Sequence, residues 1–185
     1  MAYKSVYPVA QSSTYVKATT MFGENYYPHF ATDPTKSLTG TYTDNSWTAL
    51  SGAGLTNQRF HIDLGSAKTV KRIYYENGHV GGALTTIGAE NFTFWGSNTA
   101  GDFADLVYAN NGTWVQITPA QTTFDIHVSA DQADPKYITV TNSTAYRYYA
   151  FKIADNLGST SYLNIRRIEL QIIPVTGGFF LFMQN

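Results

Sequence analysis

The chain has 185 residues, of which 43% are hydrophobic, 15% aromatic and only 14% charged, with a formal net charge of −1 and no cysteine. A chain of this length fits one domain and hides about 70% of its unfolded surface. The small charge leaves no field to attract nucleic acid or anionic lipid, and the lack of cysteine excludes a disulfide framework, a thiol nucleophile and a thiolate metal site. With 14 Tyr and 11 Phe, the balance leans toward strands, whose pleated, half-buried surface suits aromatic rings.

Residues 1–24 are polar and rich in Thr, Ser and Tyr, and read as an N-terminal extension to a domain over 25–173. They lack the basic-then-apolar layout of a signal peptide. An extracellular role then implies another route, such as release by lysis within a virus particle, so the expected location is virion or extracellular. The first clean alternation follows: Phe60, Ile62 and Leu64 alternate with His61 and Asp63. Less regular strands are predicted over 70–76 and 92–97, and a short one over 114–118. Phe124, Ile126 and Val128 alternate with Asp125, His127 and Ser129. Ile138 and Val140 lie between Tyr137, Thr139 and Thr141; Tyr149, Phe151 and Ile153 surround Ala150 and Lys152; Ile168, Leu170 and Ile172 alternate with Arg167, Glu169 and Gln171. Turn chemistry at Gly65-Ser66, Asn77-Gly78, Gly81-Gly82, 98–101, 110–112 and 156–159 separates these runs. The fold class is therefore all-β: a jelly-roll sandwich of about eight antiparallel strands. Pro174 ends the last strand, and residues 174–185 form a tail with the apolar run Phe179 to Met183. That run is far too short to span a membrane. It fits either a final strand on this domain's own sheet or a contact with a neighbouring subunit.

The segment Arg59-Phe60-His61-Ile62-Asp63-Leu64-Gly65 resembles the hydrophobic-x-hydrophobic-Asp-Leu-Gly strand and turn of discoidin domains, also called coagulation-factor type C domains, within the galactose-binding-like fold. Asn45-Ser46-Trp47, Phe92 to Ser97 followed by Trp114, Arg147 to Ile153, and Ile165 to Leu170 are similar to further landmarks of that family, in its order. The resemblance runs from about Tyr26 to Ile172. It implies a jelly-roll sandwich, usually non-catalytic, that binds glycans, phospholipid head groups or proteins through loops at one end. It also implies a strand-tying pair between Asp63 and Arg147. Many carbohydrate-binding relatives hold a structural calcium through an Asp-Gly loop and a closing-strand Glu. Here Asp33 precedes Pro34, the position aligned with that Glu is Arg167, and Glu169 lies two residues on. Calcium at Asp33 and Glu169 is the one cofactor the resemblance raises; none is otherwise expected.

Candidate ligand residues come from the loops. His79 lies in the Gly-rich stretch 77–82 with Asn77, where glycines free the backbone to approach a ligand. Asn156 and Tyr162 lie in the last loop. Trp47 and Tyr26 offer aromatic faces for a sugar ring, although Trp47 equally fits a cap on the core. His61 and His127 are expected on solvated sheet faces. Asp102 and Asp105 flank Phe103 in what reads as a solvated loop rather than a glycosidase pair. There is no Gly-x-Ser-x-Gly, no His-Glu-x-x-His and no phosphate loop, so no enzyme is expected. Two functions follow. One is a non-catalytic module binding a glycan or cell-surface ligand, with display on a virus particle as an expected setting. The other is a structural virion protein, a capsid decoration or tail component, assembled with other subunits through residues 1–24 and 174–185.

Overall fold

The computed structural model describes residues 2–174 and places ten strands among them. They are β1 (Lys4–Val6), β2 (Val16–Ala18), β3 (Trp47–Thr48), β4 (Gln58–Lys68), β5 (Arg72–Asn77), β6 (Phe92–Ser97), β7 (Val115–Pro119), β8 (Lys136–Thr141), β9 (Tyr146–Ile153) and β10 (Asn164–Ile172). One sheet runs β1-β10-β5-β8, with β3 also paired to β10; the other runs β2-β4-β9-β6-β7. Every strand pair is antiparallel. A short β7–β8 ladder, Thr118 to Thr141 and Pro119 to Val140, joins the sheets along one side.

The inward residues of the two sheets form one core. Phe60 and Ile62 of β4, Phe94 of β6 and Phe151 of β9 meet Ile73 of β5, Ile138 of β8 and Leu170 of β10. Phe151 is central: its ring lies 4.8 Å from Phe94, 5.6 Å from Phe92 and 5.9 Å from Phe124. This is the expected all-β sandwich.

The second sheet also buries its outer face. The connection between β6 and β7 contains one short helix, α1 (Ala100–Ala104), and folds back over the strands. Phe103 and Trp114 pack there with Tyr148 and Ala150 in a second, smaller core. His61 is consequently buried, not solvated as its alternation suggested. Its Nδ1 faces the Phe103 carbonyl at 3.1 Å. Asp102 is also buried, accepting from Ser97 Oγ at 2.5 Å and from the Thr113 amide at 3.1 Å, so it holds this connection closed. Near the far end of β4, Arg147 donates through Nε and Nη2 to the two carboxylate oxygens of Asp63, each at 2.8 Å. Asp63 also accepts from the Gly65 amide at 2.7 Å, fixing the turn.

Two further features depart from the alternation. Residues 124–128 form no strand: Phe124 and His127 are buried, while Ile126 and Val128 are 49% and 42% exposed. The adjacent places in the sheets are already filled by β7 and β8, so only the Phe124 ring enters the core, stacked on Phe92 at 4.2 Å. Residues 1–24 contribute an edge strand to each sheet, β1 on β10 and β2 on β4. The tail 175–185 lies outside the described residues. Among the described residues no helix is long and apolar enough to cross a membrane.

Truncating Phe151 to Ala removes the ring on which the aromatic core closes, and should lower unfolding free energy by about 3–5 kcal/mol. Urea unfolding of Phe151→Ala beside the wild type measures this.

Candidate functional site

The strand registers bring five of the connections to one end of the sandwich. Ala18 pairs with Phe60, Ile153 with both Gln58 and Phe92, Ile165 with Asn77, and Tyr75 with Lys136. The connections 19–46, 49–57, 78–91, 120–135 and 154–163 therefore share that end. Four rings from two of them form a partly exposed aromatic face. Phe22, 39% exposed, stands edge-on to Tyr26 at 5.3 Å and to Tyr162 at 5.2 Å. Tyr42 completes the group, 5.5 Å from Tyr26 and 6.0 Å from Tyr162. The three tyrosines are half-buried. Burial, then the neighbouring Tyr26 and Tyr162 hydroxyls, raise the Tyr42 phenol above its usual range.

Polar groups surround these rings. Tyr26 Oη lies 3.2 Å from Thr43 Oγ1. The Asp44 amide donates to the Asn25 carbonyl at 2.8 Å, with Asp44 in the left-handed region at φ 61°, so the two halves of the connection are tied beside the rings. Glu24, Asn25 and Asp44 are exposed there.

Of the residues singled out in the sequence, Tyr26 and Tyr162 present rings on this face. Trp47 is fully buried against Phe60 at 5.1 Å, and its Nε1 donates to the Thr20 carbonyl at 2.9 Å. It is a core cap. Asn77 is 1% exposed; its amide nitrogen donates to the Ala89 and Asp125 carbonyls at 2.8 and 3.1 Å, and its oxygen accepts from Gly78. Asn156 spends its amide on the Ser159 and Tyr162 carbonyls and the Gly158 amide, so it shapes the loop that presents Tyr162.

His79 is likewise buried, with Nε2 on the Leu38 carbonyl at 2.9 Å and Nδ1 accepting from the Gly82 amide at 3.0 Å. Its ring stacks on His127 at 3.8 Å, and His127, expected in solvent, is 1% exposed. Both ring nitrogens of His79 are occupied, which leaves none for a ligand. The glycines beside it serve loop packing. Gly82, at φ 78°, lies so close to Ala130 that a Cβ there would stand 2.2 Å from the Ala130 carbonyl carbon.

Asp33 and Glu169 are each engaged locally. Asp33 Oδ1 accepts from the amide and hydroxyl of Thr35, at 2.9 and 2.7 Å. Glu169 accepts from Ser5 Oγ at 2.6 Å and from Arg167 at 3.3 Å. Among the described residues no three His, Cys, Asp or Glu side chains stand together as a metal cluster. Arg167 is buried against Glu169, and a buried guanidinium opposes a divalent ion there. These residues do not fit a calcium site.

A cavity of about 300 Å³ runs along β2, between Val16, Lys17, Thr19, Met21, Pro28 and Leu106. Lys17 is its only charged side chain, so the cavity offers little specific chemistry.

No protein-family model matches the chain, and no curated protein matches it. Solved structures do. The family 32 carbohydrate-binding module of C. perfringens NanJ, in complex with galactose, superposes with a TM-score of 0.61 at 13% identity, over 92% of this chain and 100% of that one. Chitosan-binding module 1 of a chitosanase/glucanase from Paenibacillus sp. IK-5 gives 0.56 at 19% identity, over 84% and 92%. The family 32 module of AlyQ, in complex with 4,5-unsaturated mannuronic acid, gives 0.54 at 18%, over 90% and 97%. These likenesses establish the fold, a galactose-binding-like β-sandwich.

The buried histidines give the stability a pH dependence. Burial lowers His61 and His79 to about 4, with the Arg166 guanidinium adding to the effect at His79. The unfolded chain, with histidines near 6.5, then binds more protons than the folded one between about pH 6.5 and 4. Stability should be full above about pH 6.5 and fall as the pH drops through that window. Thermal unfolding at pH 7, 6 and 5 should show a progressively lower Tm; an unchanged Tm would contradict the neutral buried imidazoles.

Proposed function

We propose that this chain is a non-catalytic carbohydrate-binding module, and that it holds a sugar against the aromatic face of Phe22, Tyr26, Tyr42 and Tyr162. The observation that carries this reading is the face itself: four rings at the loop end of the sandwich, partly exposed and ringed by polar groups. The axial C–H groups of a pyranose stack on such rings, and hydroxyl and amide neighbours take its oxygens. The fold agrees, since structures of the same fold are named for binding chitosan, galactose or an alginate-type sugar. Three groups able to do acid–base chemistry are occupied away from the face. Asp102 closes a connection, and His61 and His79 are buried on backbone partners.

The charges bordering the face narrow the ligand class. Glu24 and Asp44 are exposed carboxylates beside the rings. They repel a uronate and attract an ammonium, so neutral and amino sugars are favoured over uronic acids. The virion-subunit reading draws less support. It assigns residues 1–24 and 174–185 to partner contacts; strands β1 and β2 of the first segment are paired within this chain, and 175–185 lie outside the described residues.

Tyr42→Ala and Tyr162→Ala should each weaken binding about fivefold, on the order of 1 kcal/mol per lost ring contact, without unfolding the protein. An array of neutral, amino and uronic oligosaccharides, followed by calorimetry on the best ligand, measures both ligand class and effect. Failure to bind any sugar, or equal affinity in both variants, would sink the reading.

A further inference from the structure

The connection 19–46 contains only two short 3-10 turns and no strand, yet it carries three of the four rings of the aromatic face. Its backbone polar groups must find partners outside regular structure. Over Lys36 to Thr41 every carbonyl does so in the same direction. Arg167 Nη2 donates to the Lys36 carbonyl at 2.7 Å. His79 Nε2 faces the Leu38 carbonyl at 2.9 Å. Arg166 supplies the rest: Nη1 reaches the Thr41 carbonyl at 3.1 Å, those of Thr39 and Ser37 at 3.3 and 3.4 Å, and Nη2 donates to Gly40. Nη2 also donates to the His79 carbonyl at 3.1 Å, joining this loop to the one at 78–82.

Carbonyl oxygens converging on one point are what a hard cation gathers around itself. Here the cation belongs to the chain. Its placement comes from a break in register. Ile165 pairs with Asn77 and Arg167 with Glu76, so β10 spends two steps where β5 spends one, and Arg166 is the extra residue. Such a bulge re-aims a side chain. It turns Arg166 under the loop, where it is fully buried. The guanidinium is planar, charged at neutral pH and rich in donors, which suits it to several carbonyls at once.

We propose that the Arg166 guanidinium is a built-in cation that organises loop 36–41 in place of a divalent metal, and that Arg166 thereby positions Tyr42 on the aromatic face. A calcium ion in this cage would stand against a buried guanidinium, with Arg167 close behind. The inference rests on the proposed sugar site only for its binding readout.

The test begins with the wild-type chain. Tm and the near-UV circular dichroism of the tyrosines should be the same in EDTA and in millimolar CaCl2, because an ion bound only to the folded state would raise the Tm. Arg166→Lys keeps the charge but offers a single ammonium. It should lower the Tm by several degrees, change the tyrosine signal and weaken sugar binding at least as much as Tyr42→Ala. Arg166→Ala leaves room for a small cation, and methylguanidinium should partly restore its tyrosine signal where ammonium does not. A wild-type Tm that falls in EDTA or rises with calcium overturns the proposal. So does an Arg166→Lys protein with the wild-type tyrosine signal and Tm. If the Arg166 variants do not fold, the wild-type comparison decides alone. If no sugar binds, the proposed function fails, while the Tm and tyrosine signals still decide the role of Arg166.

Discussion

The constraint behind the functional end is that a buried backbone polar group must be hydrogen-bonded. Leaving one unpaired costs on the order of 1–3 kcal/mol. The strands meet this in their ladders. The connection 19–46 does so only at its start, where the Thr19 amide donates to the Arg59 carbonyl of β4 and the Phe22 amide to the Thr48 carbonyl of β3. The fold instead runs charged and amide side chains beneath it: Arg166 and Arg167 under 36–41, and Asn164 to the hydroxyls of Ser46 and Thr48 at 2.7 and 2.6 Å. Asn164, Arg166 and Arg167 all lie at the start of β10. One strand end thus supports the loop, and the aromatic face inherits its geometry from that support.

Burying a guanidinium is costly unless its protons are satisfied. Burial lowers the Arg166 pKa to about 10, which leaves it charged at neutral pH, and carbonyl partners offset part of the desolvation. A pin of this kind holds several segments in one arrangement, and it shares the Thr39, Gly40 and Thr41 carbonyls with Ser37 Oγ, the Gly81 amide and Asn45 Nδ2. Binding surfaces benefit from such preorganisation, because a ring already in place loses little entropy when a ligand arrives. Asn77 and Asn156 do the same work on a smaller scale. Asn77 bridges the backbone of the 78–91 and 120–135 connections, Asn156 bridges that of its own loop, and both are buried.

The strands were legible where alternation marks a half-buried sheet. β8 shows this most cleanly, with Ile138 and Val140 buried between exposed Tyr137, Thr139 and Thr141. Alternation failed in two ways. In β4 both faces are buried, because the 98–114 connection covers the outer one, and no local pattern announces a cover that arrives from forty residues away in the fold's own order. At 124–128 the pattern was present but the neighbouring places in the sheets were taken, so Phe124 packs and the chain leaves. The edge strands β1 and β2 are three residues each, too short for any period to register.

The site was legible in location more than in detail. Asn77, His79, Asn156 and Tyr162 do lie at the loop end, because turn-forming residues mark loops reliably. Which of them face solvent is decided by contacts between loops distant in sequence: Leu38 on His79, Ala130 on Gly82, Thr20 on Trp47. The same physics hid Phe22 and Tyr42, since they meet Tyr162 only after the 19–46 connection has folded across the end of the sandwich. In a loop, a polar residue flanked by glycines has two uses, gripping a ligand or gripping the neighbouring backbone. The backbone claims it first whenever the loops pack closely enough to exclude water. What remains for a ligand is the side chain too large to be swallowed by that packing, which at this end of the molecule means an aromatic ring.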